Sequence, residues 1–541
     1  MQITFTRAAL RESLASARQQ RSTWRVNPLR WLTVAIVAVV LLPILYLIVR
    51  AVGTGADGLA YVFDARTLAI VGNSLALMLA VMVASALIGV PFAWLTTRTN
   101  LPFRRLWLIG GMLTMVIPSY IGAMMTIQAF GPRGVLFDLL HPLGVESIPS
   151  IYGFFGAWLT ITLFTYPYVV LPVRAALLNT DPALEESARS LGLSRWHVFR
   201  RVTLPQLRPA LGVGMLLTAL YTLSDFGAVS LMRYDAFTRA IYSQYANSFD
   251  RSRAALLALV LVLITLGLLV MERKMAAATK NYRAGTGCQR KHQPVKLGRW
   301  TLPALIFCAV LVGIGVVTPV GLLLAWVGQS IQMGTLHLPD FAQPTINTAG
   351  ASALAALVVG IAALAPAFLA ARSPRKLDGW LVQVAYIGNV LPGLVVALAF
   401  VFFAANYLPG LYQTLPVLIL GYATRFLPLG IGATRSALTQ INPRVEEAAR
   451  GLGLRPAQVL IRITTPLART GILGGMALVF LSAMKELPTT LLLAPTGFDT
   501  LPTEIWSANA SAHFLQVGAP ALLLVIVSAL ALPFMLRSQK T

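Results

Sequence analysis

Twelve apolar stretches, each of a length suited to a hydrocarbon layer about 30 Å thick, alternate with polar segments along this chain. They fall near residues 31–49, 69–95, 106–130, 151–172, 209–231 and 254–272, then 301–326, 346–371, 379–403, 414–433, 471–492 and 515–536. Such stretches have to become helices, because inside lipid every backbone N–H and C=O needs a partner within the segment. The pattern therefore predicts an all-α polytopic membrane protein of about 12 transmembrane helices. A basic polar stretch, 273–300, carries Arg273, Lys274, Lys280, Arg283, Arg290, Lys291, Lys296 and Arg299 and divides the series into two sets of six. The expected organisation is a tail over 1–30, a first half over 31–272, this linker, and a second half over 301–541. The tail holds Arg7, Arg11, Arg18, Arg21, Arg25 and Arg30. No small-residue cleavage site follows the first apolar run, so a cleaved signal peptide is not expected.

Twelve spans put both termini on one side. With that side inward, the inner segments hold about 34 of the 43 Lys and Arg and the outer ones about seven. Shifting the topology by one span would reverse the bias that cytoplasmic loops carry.

The two sets are copies of one unit. Asp181-Pro-Ala-Leu-Glu-Glu-Ser-Ala-Arg-Ser-Leu-Gly-Leu193 recurs 261 residues later as Asn442-Pro-Arg-Val-Glu-Glu-Ala-Ala-Arg-Gly-Leu-Gly-Leu454, with eight of thirteen positions identical. The register extends to Arg174/Arg435, Arg201/Arg462 and Pro205/Pro466, and a long ungapped repeat implies two copies of a structural unit. Each copy reads as a helix, a glycine turn and a second helix. Asp181 or Asn442 suits the N-cap and Pro182 or Pro443 the first turn. Glu185, Glu186, Glu446 and Glu447 complement the positive helix start. Leu184, Ala188 and Leu191, like Val445, Ala449 and Leu452, share a face by spacing. Gly192 and Gly453 are placed to end the helix in a left-handed turn, and the second helix is expected to stop near Pro205 or Pro466. Charge marks the exposed side: Glu186, Arg189, Arg195, Arg200 and Arg201 in the first copy.

This repeat resembles the EAA loop of permease subunits of binding-protein-dependent ABC importers, roughly E-A-A-x-x-x-G followed after a gap by L-P. The first copy gives Glu186-Ser187-Ala188, Gly192 and Leu204-Pro205; the second gives Glu447-Ala448-Ala449, Gly453 and Thr465-Pro466. Ser187 and Thr465 depart from the pattern. The resemblance runs from about residue 67 to 533 and implies the type I ABC importer permease fold, with cores over about 67–272 and 345–536. It implies a multi-pass protein of the bacterial inner membrane, with both termini and both loops cytoplasmic. Two copies of an ABC ATP-binding subunit would dock on the loops, through Glu186, Ala188, Gly192 and Pro205 in one and Glu447, Ala449, Gly453 and Pro466 in the other. A periplasmic substrate-binding protein would deliver cargo. ATP and Mg would sit on the partner subunits, with no cofactor on this chain.

Composition narrows the alternatives. Apolar residues make up 57% of the chain and charged residues 11%, which excludes an ordinary soluble domain. The net charge of +24 lies in short segments between spans, a membrane-topology distribution rather than a nucleic-acid footprint. Cys288 and Cys308 offer neither a disulfide framework nor a metal spacing. His141, His337 and His513 show no ligand spacing, and His197 reads as a structural or solvated loop residue. Trp24, Trp31 and Trp300 fit interfacial anchors. None of the seven lysines follows a glycine, so no P-loop is present and energy has to come from a partner, a gradient or nowhere. No Ser/His or paired-Asp constellation marks an intramembrane enzyme. A gradient-driven carrier with parallel halves stays open at this stage.

Two carboxylates lie within the spans at the repeat offset: Asp225 in Leu223-Ser-Asp-Phe-Gly-Ala228 and Glu486 in Met484-Lys-Glu-Leu-Pro-Thr489. A charge at mid-bilayer costs about 2.5–3.5 kcal/mol on insertion scales, so neither is expected to face lipid. Two readings stand. The pair faces a cavity between the halves and, with Tyr221, lines the substrate pathway; or Glu486 is neutralised by Lys485 or Arg425 while Asp225 caps a broken helix. Ser224–Ser230 and Lys485–Thr490 look like fused permeases of the ferric-iron uptake group, and a hard ferric ion accepts oxygen ligands such as these. Related fused permeases are associated with thiamine, polyamines or phosphonates, and these remain alternatives.

Overall fold

The computed structural model describes residues 27–180, 182–247, 252–278, 294–389 and 391–529. Most of the tail, Asp181, most of the linker and the end of the last span lie outside the described residues. Among those described, nine helices are long and apolar enough to cross a membrane and two more spans are bent pairs. A shorter apolar helix, Phe514–Ala529, stands at the twelfth position. In chain order, spans 1 and 2 are Asn27–Val52 and Ala65–Arg98. Span 3 is the pair Arg104–Val116 and Ser119–Leu143, and spans 4, 5 and 6 are Phe154–Leu178, Trp196–Ser224 and Ser252–Met271. Spans 7 and 8 are Gly298–Gln332 and Pro339–Arg372; span 9 is the pair Lys376–Gly388 and Gly393–Tyr407. Spans 10 and 11 are Leu415–Gln440 and Pro456–Met484, and span 12 is Phe514–Ala529. The described residues are all-α, in two sets of six spans.

Proline decides where spans bend. The segments near 106–130 and 379–403 read as single spans, but they turn by 105° and 96° at Pro118 and Pro392. Proline disfavours helical geometry in the residue before it, and Ile117 is extended (φ −72°, ψ 122°). Pro205 and Pro466, by contrast, stop nothing. The loop's second helix passes through a widened turn, Phe199–Thr203 or Leu460–Thr464, and continues into span 5 or 11. In that turn Leu204 N–H bonds Phe199 O and Thr465 N–H bonds Leu460 O, five residues back. The extra residue gives the proline ring, which lacks an N–H, room against the preceding turn. The loop's second helix and the span are thus one rod. The segments 209–231 and 471–492 are also not continuous: helices end at Ser224 and Met484 and resume as Gly227–Leu231 and Pro488–Leu493.

Spans 2, 4 and 5 pack together in the first half, and spans 8, 10 and 11 form the equivalent triple in the second. Lipid supplies no hydrophobic drive between helices, so close approach comes from small residues. A Cβ on Gly122 would lie 2.1 Å from Phe164, and one on Gly430 would lie 2.7 Å from Val359. The outer spans reach across: span 1 packs on spans 8, 9 and 10 as well as on span 6, and span 7 packs on span 3 as well as on span 12. Arg30 fixes the first crossing. Its Nε and Nη2 donate to the Asp378 carboxylate at 2.6 and 3.0 Å, and Ser373 Oγ donates to the same group. Asp378 is fully buried. Replacing it with Ala leaves the guanidinium without its partner, and D378A is expected to lose about 3 kcal/mol. A fall in the melting temperature of the detergent-solubilised chain checks this; an unchanged one contradicts it.

Candidate functional site

The two repeated loops fold alike. Helices Pro182–Ser190 and Pro443–Gly451 begin on their prolines, and Asn442 Oδ1 accepts from Arg444 N–H at 3.1 Å as the expected cap. Each ends in a left-handed glycine, Gly192 at φ +83° and Gly453 at φ +89°. Leu193 N–H bonds Ala188 O and Leu454 N–H bonds Ala449 O, both at 3.2 Å, closing the same C-terminal motif in both copies. Pro205 and Pro466 sit in the first turn of the helix that follows.

The supposed common apolar face is divided. Ala188 and Ala449 are buried, as spacing predicts, but Leu184, Val445, Leu191 and Leu452 are exposed, the last two at 84% and 86%. Leu191 and Leu452 fall in the turn, where helical phase no longer applies. Glu186 and Glu447 are exposed beside them. Each loop therefore presents a leucine and a carboxylate on a glycine-ended tip. Exposed apolar residues at matching positions of both copies fit a surface another molecule covers.

The glutamate before each tip carboxylate does the opposite. Glu446 is 1% exposed and accepts from Thr464 Oγ1 at 3.2 Å and from Arg372, the last residue of span 8. Arg372 Nε lies 3.3 Å from both carboxylate oxygens, and its Nη2 also donates to Leu438 O and Ile441 O. In the first half, Glu185 Oε1 accepts from Thr203 Oγ1 at 3.1 Å and lies 3.5 Å from Arg98 Nη2, at the end of span 2. Sequence reasoning assigned Glu185 and Glu446 only to the helix dipole and passed over Arg98, Arg372, Thr203 and Thr464. The signal was present: Thr203 and Thr464 share the offset of 261, and each arginine closes its span.

Asp225 and Glu486 occupy equivalent breaks, each 6% exposed. Asp225 Oδ1 accepts from Ala228 N–H at 2.8 Å, capping the short helix that resumes there, and its carbonyl accepts from Thr238 Oγ1. Glu486 Oε1 accepts from Thr489 N–H and Oγ1 at 3.3 and 2.7 Å, and its carbonyl accepts from Thr490 Oγ1. Of the two candidate cations, Arg425 pairs directly with Glu486; no hydrogen bond to Lys485 is found among the described residues. In this conformation both carboxylates are satisfied by their own fold. Tyr221 stacks at a tilt on Tyr168, 5.5 Å between rings. The break at 225–226 meets the other half where Phe226 lies 5.3 Å from Trp506. His197 Nδ1 pairs with Ser194 Oγ at 2.8 Å within the loop. No group of three or more metal-ligating side chains occurs among the described residues.

The family described as "Binding-protein-dependent transport system inner membrane component" matches twice, over residues 85–272 and 362–539. An Fe(3+)-transport system permease of Haemophilus influenzae is 31% identical over 511 residues, 93% of this chain and 97% of that protein. A ferric transport system permease of Actinobacillus pleuropneumoniae is 23% identical, covering 86% of this chain and 70% of that one. A molybdenum transport system permease of Escherichia coli is 30% identical over 203 residues, 36% of this chain and 87% of its own length.

Proposed function

We infer the function of this chain from one premise: it belongs to the binding-protein-dependent transport system inner membrane component family. It is a multi-pass permease of the inner membrane, a transport subunit rather than an enzyme. Its cargo is ferric iron, handed over at the periplasmic face by a binding protein. ATP and Mg bind two copies of a separate ATP-binding subunit, one on each loop, and both termini are cytoplasmic. The doubled loop with its exposed tip carries this reading, and the names of the full-length relatives support the cargo.

The mechanism follows from the rods. A groove on each ATPase receives Leu191 with Glu186, or Leu452 with Glu447. Because the loop's second helix, joined to the tip by the glycine turn, is continuous with span 5 or 11, displacing the tip swings the whole span, with the breaks at Asp225 and Glu486 at its far end. Closing the ATPase pair around ATP draws the loops together and opens the layer between the halves outward; hydrolysis reverses it. This is alternating access by rigid-body rotation, and it requires ATP to favour one of the two states. Asp225, Glu486 and Tyr221 line the layer the cargo crosses, and their oxygens suit a hard cation.

Reconstitution with the ATPase and binding protein tests it. Radioactive ferric ion loaded on the binding protein should enter proteoliposomes only with ATP, and vanadate should stop it. Uptake driven by an ion gradient without ATP, or ATP-driven uptake of thiamine or a polyamine in place of iron, would overturn it.

A further inference from the structure

Each loop is tied to its half twice. The first tie is the backbone, through the widened turn into span 5 or 11. The second is a clamp of side chains, buried at Glu446 and half-buried at Glu185, reaching the end of a different span: Arg98 of span 2 with Glu185 and Thr203, and Arg372 of span 8 with Glu446 and Thr464. A loop that only had to present a tip to an ATPase would not need a guanidinium and a carboxylate withdrawn from water behind it. Such a pair is stable only when both members are present and their hydrogen bonds are filled. An arginine fork also fixes direction, since its donors are planar and rigid.

The clamps are unequal. Arg372 addresses both Glu446 oxygens and two further carbonyls, Leu438 O at 3.0 Å and Ile441 O at 2.9 Å. Arg98 approaches Glu185 only to 3.5 Å, donates to Thr180 Oγ1, and has a buried Nε with no hydrogen-bond partner among the described residues. The end of span 2 is held instead from the linker side: Val295 N–H bonds Arg98 O at 2.8 Å, and Leu297 N–H bonds Asn100 Oδ1 at 2.9 Å.

We propose that Arg98 and Arg372 are positioning residues of the transport cycle: each locks its loop helix to the end of span 2 or 8, so that two spans turn with each loop, and the Arg372 clamp transmits the larger share. The proposal rests on the permease reading above. Movement of a tip would otherwise reach the pathway through one rod. With the clamp closed it reaches the pathway through two, and slack between them shows as ATP hydrolysed without import.

The test uses the complete transporter in proteoliposomes, with ferric ion on the binding protein as probe. It reads ATP hydrolysed per iron imported, and deuterium exchange of the peptide 443–454. R372K keeps the charge but loses the fork. It is expected to leave ATP hydrolysis within about twofold and to raise ATP per iron about tenfold, the scale of a lost charged contact. Exchange in 443–454 should quicken. R98K should raise the ratio by about threefold or less. The exchanged pair R372E/E446R should recover part of the coupling lost in either single variant, which a packing role would not do. An R372K complex with wild-type ratio and exchange overturns the proposal, as do equal effects of R98K and R372K. Should R372K fail to assemble, T464V decides by removing a single bond to Glu446: a raised ratio supports the clamp and an unchanged one overturns it. If the wild-type complex imports no iron, the cargo reading fails, while the exchange comparison still tests the clamp.

Discussion

Gly453→Val is expected to abolish coupled import while leaving the chain folded in the membrane. Gly453 stands at φ +89°, where a side chain costs roughly 1–2 kcal/mol and a β-branched one more. Space is not the obstacle, since a Cβ there would meet nothing within 4 Å. The strain is purely that of the backbone, and the loop relieves it by abandoning the left-handed turn. That turn holds the bond from Leu454 N–H to Ala449 O and sets the angle between loop helix and rod. Losing it changes how Leu452 and Glu447 are presented relative to the rod. Iron uptake should fall by about tenfold or more, with ATP hydrolysis in the presence of loaded binding protein falling or becoming independent of it. Expression and detergent-extracted yield should stay near wild type. Normal uptake by a well-expressed G453V chain would show that the turn does not matter to transport.

The second large effect is at the break after span 11. Glu486→Ala strands the Arg425 guanidinium among apolar spans and uncaps the helix Pro488–Leu493. Breaking such a pair costs about 3–5 kcal/mol, a large part of the net stability of most folded chains. The E486A chain should be recovered poorly and melt well below wild type. Gly393 belongs to the same device: a Cβ there would fall 1.7 Å from Arg425 Nη1 and 2.5 Å from Glu486 Oε1. The double variant R425M/E486M removes both charges and should regain much of the lost stability. Its transport then separates the two roles of the carboxylate. Restored uptake assigns Glu486 to architecture; a stable chain that imports nothing assigns it to the cargo path as well.

The parts of this architecture that repeat were open to reading from residues alone. Apolar length places the spans, and the offset of 261 places both loops, their glycines and the pairing of Asp225 with Glu486. What escaped depends on contacts between distant segments. Arg98 and Glu185, or Arg372 and Glu446, lie far apart in sequence and in types that also serve as topology signals and dipole charges, so it is their contacts in the folded chain that identify them as pairs. The prolines misled in both directions for a local reason. Whether Pro118 breaks a helix or Pro205 passes within one depends on whether the preceding turn can widen by a residue. Leu191 and Leu452 kept the spacing of a buried face while the backbone had already left the helix.

The reach of spans 1 and 7 across the halves has a bearing on how the two lobes are held. Each lobe carries a stave built into the wall of the other, with Arg30 nailed to Asp378 at one seam. The peptide joining them is therefore not what keeps them in company: a chain nicked between Ala278 and Val295 would still be one clasped object. The rocking that transport demands is confined to whatever swing those interlaced staves permit.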